Sequence, residues 1–163
     1  MSHRFIPLNL PKAALKITKK ESKFYVYCIS RKKNLVLTPE EWVRQHAIHF
    51  LIEELNTPLS HIGTETGLKV NKMEKRCDII VFGKDQLQLI LIECKATSIP
   101  LNHATLQQIA QYNNKINAPY LWITNGISHH YLKIDTTSNS LTLIEKLPLY
   151  PNNYKSHLMG GFS

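Results

Sequence analysis

The sequence is poor in cysteine and has no long apolar run. Its three cysteines, Cys28, Cys77 and Cys94, are odd in number and too widely spaced for a Cys-x-x-Cys pair, which argues against a disulfide framework and a zinc or redox motif. No apolar stretch is long enough to span a bilayer, and the basic amino terminus lacks the apolar segment of a secretory signal. We therefore expect a cytoplasmic protein without a membrane partner.

The composition is otherwise that of an ordinary folded domain. Hydrophobic residues make up 43% and charged residues 20% of the 163 positions, which excludes disorder and collagen-like order. A chain of this length can bury the majority of the surface that it exposes when unfolded. One domain with a single core and no internal repeat is expected.

Acidic residues are scarce in the first quarter of the chain. Residues 1–38 contain nine Lys and Arg but one acid, Glu21, which accounts for the whole net charge of +8. Such a segment suits a polyanion such as nucleic acid. The alternative is a set of solvated turns and edge strands that lysines protect from aggregation. Charge alone does not separate the two interpretations.

The amino-terminal part of the chain predicts a small β-meander followed by a helix. Polar turns separate three short β-like runs, which are Ala14 to Ile17, Phe24 to Ile29 and Leu35 to Leu37. Thr38 is a predicted N-cap, Pro39 takes the first helical position, and Glu41 stands where it would complete a capping box. The helix should reach about Leu55 and pack one broad apolar arc on a sheet.

The rest of the chain predicts a mixed sheet with a second helix. Strands are expected at His61 to Val70, Arg76 to Phe82 and Leu87 to Ala96, a helix from about His103 to Lys115, and strands at Tyr120 to Thr124 and Ile127 to Ile134 around a two-residue Asn125-Gly126 turn. Leu141 to Glu145 adds an edge strand. We expect an α/β protein organised as a basic β extension (1–38), a core (39–147) and a flexible tail (148–163).

The most informative stretch is the apolar strand that ends in Glu93-Cys94-Lys95. Strand alternation sends Glu93 and Lys95 to one face and Cys94 to the other. An isolated Glu-x-Lys is more often an ordinary ion pair at a strand end. Here Asp78 interrupts the preceding apolar strand, which pairs with this one in the predicted hairpin. Two buried carboxylates repel each other unless a cation lies between them, and hard oxygen ligands suit Mg²⁺.

These residues resemble a known nuclease pattern. Asp78, fourteen intervening residues and Glu93-Cys94-Lys95 resemble the D…(D/E)xK core of the PD-(D/E)XK nucleases. Further blocks are similar to the amino-terminal nuclease domain of type I restriction enzyme R subunits, namely Leu37 to Gln45, Lys75 to Ile79, Glu93 to Ala96 and Thr124 to Gly126. The resemblance covers roughly Arg31 to Ile134. It implies a restriction-endonuclease-like core whose mixed central sheet is flanked by helices.

The resemblance also implies roles for the matching residues. Asp78, Glu93 and the backbone carbonyl of Cys94 would hold Mg²⁺, for which Mn²⁺ could substitute, and Lys95 would orient the attacking water and stabilise developing negative charge. Gln108 and Tyr112 match a Q-x-x-x-Y motif and would support the site, although simple amphipathicity also explains them. Glu40 is the remaining candidate catalytic residue. The expected nucleic-acid contacts are Arg31, Lys32, Lys33, Arg44 and Arg76.

Several alternatives stay open at this stage. Glu40 and Arg44 could instead form an i,i+4 ion pair at the rim of the core. His46 with His49, and His129 with His130, could suggest zinc, but no His-Glu-x-x-His motif accompanies them. The large R subunits carry helicase motor domains after the nuclease, and 163 residues leave no room for these. The expected partners are DNA and a helicase or specificity subunit, and a silent DNA-binding or interaction module is the rival hypothesis.

Overall fold

The protein is an α/β domain built from two β-sheets and two helices. The computed structural model describes residues 5–70, 73–135, 137–138 and 140–151, with side chains at 65–77 and 112–116 left undescribed. Its elements are β1 (Ile17–Lys20), β2 (Lys23–Cys28), β3 (Lys33–Val36), α1 (Pro39–Glu53), a short 3-10 helix (Leu59–His61), β4 (Ile62–Val70), β5 (Met73–Phe82), β6 (Gln88–Cys94), α2 (His103–Ile116), β7 (Tyr120–Thr124), β8 (His129–Asp135) and β9 (Ser140–Ile144).

The central sheet has six strands in the order β4-β5-β6-β7-β8-β9. The β6–β7 pair is parallel and the other neighbours are antiparallel. The parallel pair requires a crossover, and α2 supplies it. The amino-terminal strands form a separate antiparallel sheet in the order β1-β2-β3. The predicted fold class, a mixed sheet flanked by helices with an amino-terminal meander, is therefore confirmed.

Each face of the central sheet carries its own apolar cluster. Val43, Ile48 and Leu51 of α1 pack on one face, where they meet Ile79, Val81, Ile92 and Trp122. On the other face, Ile109 of α2 is buried with Ile80, Leu91, Leu121 and Ile123. This alternation along β5, β6 and β7 explains why these strands read as continuous apolar runs, since both faces are covered. No helix among the described residues is long and apolar enough to cross a membrane.

The start of α1 agrees with the sequence except for one side chain. The Thr38 hydroxyl accepts a hydrogen bond from the Glu41 amide at 3.0 Å, as expected of an N-cap. The predicted capping box is wrong, because the Glu41 carboxylate binds Arg44 and Gln45 within the helix. A buried cation is a stronger partner for a carboxylate than a backbone amide. The Thr38 amide donates instead to the Val36 carbonyl at 3.1 Å.

Two strands begin three residues away from their predicted starts, the largest such differences among the strands. The first strand was expected at Ala14 to Ile17 but occupies Ile17–Lys20, where Lys20 pairs with Lys23. Glu21 makes the intervening two-residue turn possible with a φ of 54°. Both lysines remain exposed, so their placement in strands requires no desolvation of charge. The strand predicted from Arg76 to Phe82 is β5, and it begins at Met73 instead. The pairing of β4 with β5 extends as far as Val70↔Met73.

The turn between β7 and β8 is longer than predicted. Thr124 pairs with His129, so the loop has four residues rather than the two of an Asn-Gly hairpin. The Asn125 carboxamide oxygen accepts hydrogen bonds from the amides of Ile127, at 3.0 Å, and Ser128, at 2.7 Å. Gly126 has a φ of 85°, and a Cβ there would lie 2.7 Å from Leu8. The Asn side chain thus closes a wider turn on which the amino-terminal segment packs.

The segment expected to be flexible from Pro148 begins with anchored residues. Tyr150 is 4% exposed, its amide donates to the Leu55 carbonyl at 2.7 Å, and its hydroxyl donates to the Phe82 carbonyl at 3.1 Å. The prediction of a loose tail is wrong for this part, because one aromatic ring fills the core next to β5 and α1. The remainder of the tail, residues 152–163, lies outside the described residues.

Candidate active site

Strands β5 and β6 bring two carboxylates to one end of the sheet. Their registered pairs end at Ile79↔Ile92, and the next residue along each strand is Asp78 and Glu93 respectively. The Asp78 carboxylate accepts a hydrogen bond from the Cys94 amide at 2.8 Å. Asp78 is thereby tied across the strands to the residue that follows Glu93. The predicted acids therefore lie together.

Glu93 experiences the burial and repulsion expected of a carboxylate pair. Its side chain is 25% exposed. Burial, and then the negative charge of Asp78, raise its pKa to about 7, although Lys95 opposes the shift. The Lys95 ammonium lies 3.1 Å from the Glu93 carboxylate. Burial alone would lower the pKa of Lys95, but Glu93 and the other nearby acids raise it, so the cation is held in its charged form.

The β7–β8 turn supports the backbone of Lys95. Cys94 pairs with Thr124 in the parallel ladder, and the Lys95 amide donates to the Thr124 carbonyl at 2.8 Å. The Asn125 carboxamide nitrogen donates to the Ile99 carbonyl, also at 2.8 Å. The Thr-Asn-Gly block of the sequence therefore holds both ends of the segment that leaves β6. Its contribution is to fix where Lys95 stands.

Arg44 of α1 forms the third side of the site. It donates to Asp78 and to Glu40, each at 2.8 Å, and to the buried carboxylate of Glu41. Its side chain is 9% exposed. Burial alone would lower the pKa of Arg44, but Asp78 and Glu41 raise it above its ordinary value. The guanidinium is thus a permanent cation among three carboxylates.

The structure places Arg44, a predicted nucleic-acid contact, among carboxylates, and its contact with nucleic acid stays a prediction. Two of its nitrogens are hydrogen-bonded to carboxylates, and little of its side chain reaches solvent. The ion-pair alternative for Glu40 and Arg44 is the one that the structure shows. Sequence reasoning missed Glu41 as an anchor of Arg44. The i,i+3 spacing of the two residues was the available signal.

Glu40 lies at the open side of this network. Its side chain is 45% exposed and pairs with Arg44. Burial raises its pKa, and the nearby charge of Asp78 raises it further, while Arg44 and Lys95 lower it. Glu40 is therefore in the electrostatic neighbourhood of the two predicted catalytic residues on the sheet.

The basic turn between β2 and β3 lies next to the sheet. The Ser30 hydroxyl is 3.1 Å from that of Thr64, which pairs with Ile79 beside Asp78. Ser30 and Lys32 line a cavity of about 430 Å³ together with Leu59, Ser60 and Ile62. Lys32 and Lys33 are exposed and Arg31 is half-buried. The turn that carries the three predicted phosphate contacts is thus attached near the strand that bears Asp78.

The remaining predicted site residues are Gln108, Tyr112 and Arg76. Gln108 is exposed on α2, and in the described part of the chain no hydrogen bond links it to Asp78, Glu93 or Lys95. The side chains of Tyr112 and Arg76 lie outside the described residues. Their predicted roles stay predictions.

The histidines have structural partners. His46 packs edge-on against Trp42 and bonds to its carbonyl, while His129 contacts the Thr124 hydroxyl and the Asn9 carbonyl. Burial lowers the pKa of both rings. Within the described residues, no three His, Cys, Asp or Glu side chains form a cluster that could hold a metal. An oxygen-ligated ion would therefore depend on two carboxylates, backbone oxygen and water.

The fold and its sequence blocks define an amino-terminal domain of the restriction-subunit type. A family model described as type I restriction enzyme R protein N terminus (HSDR_N) matches residues 39–148, about two thirds of the chain. The chain belongs to this family.

A solved structure gives independent support for the fold. It is the fragment structure of a putative HsdR subunit of a type I restriction enzyme from Vibrio vulnificus, which is similar over 74% of this chain with a TM-score of 0.50 and 20% identity. The present protein spans about a quarter (25%) of the length of the Vibrio vulnificus chain. No curated protein matches the sequence significantly.

Proposed function

We propose that this domain hydrolyses phosphodiester bonds of DNA with Mg²⁺, as a PD-(D/E)XK nuclease. The observation that carries the proposal is that Asp78, bonded to the Cys94 amide, and Glu93, paired with Lys95, lie at the same end of two neighbouring strands. Membership of the restriction R-subunit family supports a nuclease of the restriction type. The predicted roles all concern the end of β5 and β6, where Asp78, Glu93, Cys94 and Lys95 lie.

The donor set suits a small hard cation. Asp78 and Glu93 would supply carboxylate oxygens. Burial, and then the negative charge of Asp78, raise the pKa of Glu93, and a bound divalent ion would offset both effects. The Cys94 carbonyl is the third proposed ligand. Mg²⁺ commonly keeps several waters and accepts one or two carboxylates plus substrate phosphate, and Mn²⁺ has similar preferences. A site with few protein ligands is therefore consistent with magnesium.

Lys95 has a defined task in the proposed reaction. Mg²⁺ held by Asp78, Glu93 and the Cys94 carbonyl would supply Lewis-acid chemistry for phosphodiester hydrolysis. Lys95, held charged by Glu93, orients the attacking water and stabilises the negative charge that develops on the phosphate. The backbone bond from Lys95 to Thr124 fixes the origin of the lysine side chain. Small displacements of such a group reduce rates strongly.

Arg44 acts through Asp78 rather than on the substrate. Its bond to one Asp78 oxygen and the Cys94 amide on the other restrict the carboxylate to one orientation. Glu41 and Glu40 in turn hold the guanidinium. We assign Arg44 as a positioning residue and keep Glu40, half-exposed near the pair, as a candidate for holding water or substrate.

The R-subunit context suggests the partners. DNA is the proposed substrate, and a helicase or specificity subunit of a restriction system is the proposed protein partner. The rival function is a silent DNA-binding or interaction module. The cation that Arg44 presents to Asp78 favours this rival, since it already offsets one of the two acidic charges.

Cleavage of supercoiled plasmid separates the two functions. We expect the purified protein to nick the plasmid with Mg²⁺ and to leave it intact with EDTA. Replacing Lys95 by Met should lower the rate at least a hundred-fold, on the order of 2.7 kcal/mol in the barrier. Lys146→Met is the matched control, because Lys146 is exposed beyond β9. Plasmid binding without Mg²⁺-dependent nicking would favour the silent module.

A further inference from the structure

The small amino-terminal sheet has an outward face that the proposed nuclease site does not use. In β2, Val26 and Cys28 are 0% and 1% exposed, so the side chains at these alternate positions face the core. Tyr25 and Tyr27 occupy the intervening positions, so they point away from the core, and both are half-buried. We call this side of the sheet the tyrosine face.

Strand pairing defines the neighbours of the two tyrosines on this face. Tyr25 lies between Thr18 of β1 and Val36 of β3, and Val36 is 48% exposed. Tyr27 pairs with Asn34, and its amide donates to the Lys16 carbonyl at 2.9 Å. Directly paired residues of an antiparallel sheet share a face. The flanking positions are all exposed, so the tyrosines form the centre of an open surface.

Lysines surround the tyrosines on the same face. Lys20 pairs with Lys23 next to Tyr25 in the sheet, and the Lys16 ammonium lies over the Tyr27 ring, 5.9 Å from its centre, in a position that a stacked base would take from it. Residues 1–38 carry the whole net positive charge of the chain. Rings flanked by cations are the arrangement by which proteins bind single-stranded nucleic acid, because bases stack on the rings and lysines contact phosphates.

The spacing of the rings fits consecutive bases of an unpaired strand. Tyr25 and Tyr27 are two residues apart on one strand, which separates their Cα atoms by about 7 Å. A duplex keeps its bases stacked inside, so it offers phosphates to the lysines but no base to the tyrosines. Charged edge strands alone would explain the lysines. Charged edge strands do not explain why Tyr25 and Tyr27 lie side by side at the centre of the tyrosine face.

The position of the sheet gives this surface a functional context. The family match begins at residue 39, so the tyrosine face lies outside it. The Ser30–Thr64 contact attaches the β2–β3 turn to β4, whose partner strand carries Asp78. A strand held on this face would therefore be retained on the same domain as the proposed cleavage site.

We propose that the tyrosine face is a binding site for single-stranded nucleic acid, with bases stacked on Tyr25 and Tyr27 and phosphates on Lys16, Lys20 and Lys23. Binding at this site requires neither Mg²⁺ nor hydrolysis. The site is therefore a second function of the chain beside the proposed nuclease. In the context of that nuclease, its ligand is single-stranded DNA.

Fluorescence anisotropy in EDTA tests this site without cleavage. The probes are fluorescein-labelled oligo(dT) of about 12 nucleotides, which is within the range bound by single-strand-binding folds, oligo(U) of equal length, and a duplex of equal length. Oligo(dT) or oligo(U) should bind more tightly than the duplex, and the preferred strand identifies the sugar. Equal or tighter binding of the duplex would overturn the proposal.

Paired substitutions separate stacking from charge. Tyr25→Thr with Tyr27→Thr should weaken oligo(dT) binding at least 25-fold, since stacking is worth roughly 5-fold to 150-fold per base, without changing the salt dependence. The matched control, Tyr25→Phe with Tyr27→Phe, keeps both rings and should bind nearly as tightly as wild type. Replacing Lys16, Lys20 and Lys23 by Gln should instead flatten the slope of log K against log salt by about 0.7 per lost contact.

Two further variants keep the test decisive. If the Thr pair unfolds, Tyr25→Leu with Tyr27→Leu keeps apolar bulk without the aromatic face and should show the same loss. Glu145→Gln, at an exposed position after β9, should bind oligo(dT) like wild type. The binding assay runs in EDTA without cleavage, so failure of the nuclease proposal leaves this test intact. Wild-type affinity in a folded Thr or Leu pair would contradict base stacking on this face.

Discussion

Replacing Arg44 by Met should strongly destabilise the metal-free protein. The substitution keeps an unbranched apolar side chain but removes the cation shared by Asp78, Glu41 and Glu40. The Asp78 and Glu41 side chains are only 14% and 6% exposed, so water cannot fully replace the lost partner. Breaking a buried pair on one side costs about 3 to 5 kcal/mol. This is a large fraction of the roughly 5 to 15 kcal/mol that stabilises a typical domain.

The loss should depend on metal and on Glu41. Mg²⁺ at the proposed site would bind the folded state, so it should recover part of the stability, by about 2.7 kcal/mol when its concentration is a hundred times its Kd. Adding Glu41→Gln to Arg44→Met removes one of the stranded charges, so the double variant should be more stable than the sum of the two single losses implies. Arg44→Lys keeps one charge but cannot bridge three carboxylates, and it should lie between Met and wild type.

Urea unfolding in EDTA and in Mg²⁺ measures these differences. Wild type, Arg44→Met, Glu41→Gln and the double variant form one double-mutant cycle, and Arg44→Lys is its conservative control. A loss below about 1 kcal/mol for Arg44→Met in EDTA would place the pair among weak surface ion pairs and refute the buried network. Simple additivity in the double variant would also refute it, because the two residues would then be uncoupled.

Three other predictions concern charge and the second helix. Without Mg²⁺, stability should fall as pH rises from about 4.5 to about 7. Burial and a neighbouring carboxylate raise the pKa of Glu93 in the folded state, so the folded protein binds this proton more tightly than the unfolded chain does. Glu93→Gln should flatten the dependence of melting temperature on pH over that window. Replacing Arg31, Lys32 and Lys33 by Gln should weaken duplex binding for all sequences alike and flatten the salt slope by about 0.9 per lost phosphate contact; an unchanged slope would remove the turn from the DNA surface. Tyr112→Phe should lower cleavage about ten-fold or more with little loss of melting temperature, whereas a wild-type rate would remove its hydroxyl from the site.

The parts of the fold that sequence predicted are those encoded by local signals. Thr38 and Pro39 set the start of α1, and the apolar run that ends at Glu93 predicted β6. Alternation along two adjacent apolar strands was enough to bring Asp78 and Glu93 to one place, because their pairing is a short hairpin. The apolar pattern of each strand, together with the pairing of neighbouring strands, was therefore enough to predict the candidate site.

The features that sequence missed depend on contacts between distant residues. Arg44 is a plausible phosphate ligand until the packing of α1 on the sheet brings it 2.8 Å from Asp78. Tyr150 belongs to a segment of loop composition, and only its distant partner carbonyls at Leu55 and Phe82 make it part of the core. The tyrosine face required knowledge of which side of β2 is buried, because Phe24, Tyr25, Val26 and Tyr27 are all common strand residues and show no polar–apolar alternation.

The prediction of a two-residue turn after β7 was wrong for a different reason. Asn125-Gly126 favours a two-residue hairpin, but the carboxamide of Asn125 accepts from the amides of Ile127 and Ser128 and extends the loop. Composition alone does not distinguish the two turns, since both use Asn and Gly. The longer loop leaves the Asn125 amide group available for the Ile99 carbonyl, which supports the segment after Lys95.

The rate of plasmid nicking by Glu93→Gln in Mg²⁺ tests the proposed metal centre most directly. Glutamine keeps the size of the side chain but removes the charge that we assign to metal binding, so the rate should fall at least a thousand-fold, on the order of 4 kcal/mol in the barrier. Glu145→Gln, at an exposed position after β9, should nick the plasmid at the wild-type rate. Equal rates for Glu93→Gln and Glu145→Gln would contradict a catalytic centre at Asp78 and Glu93.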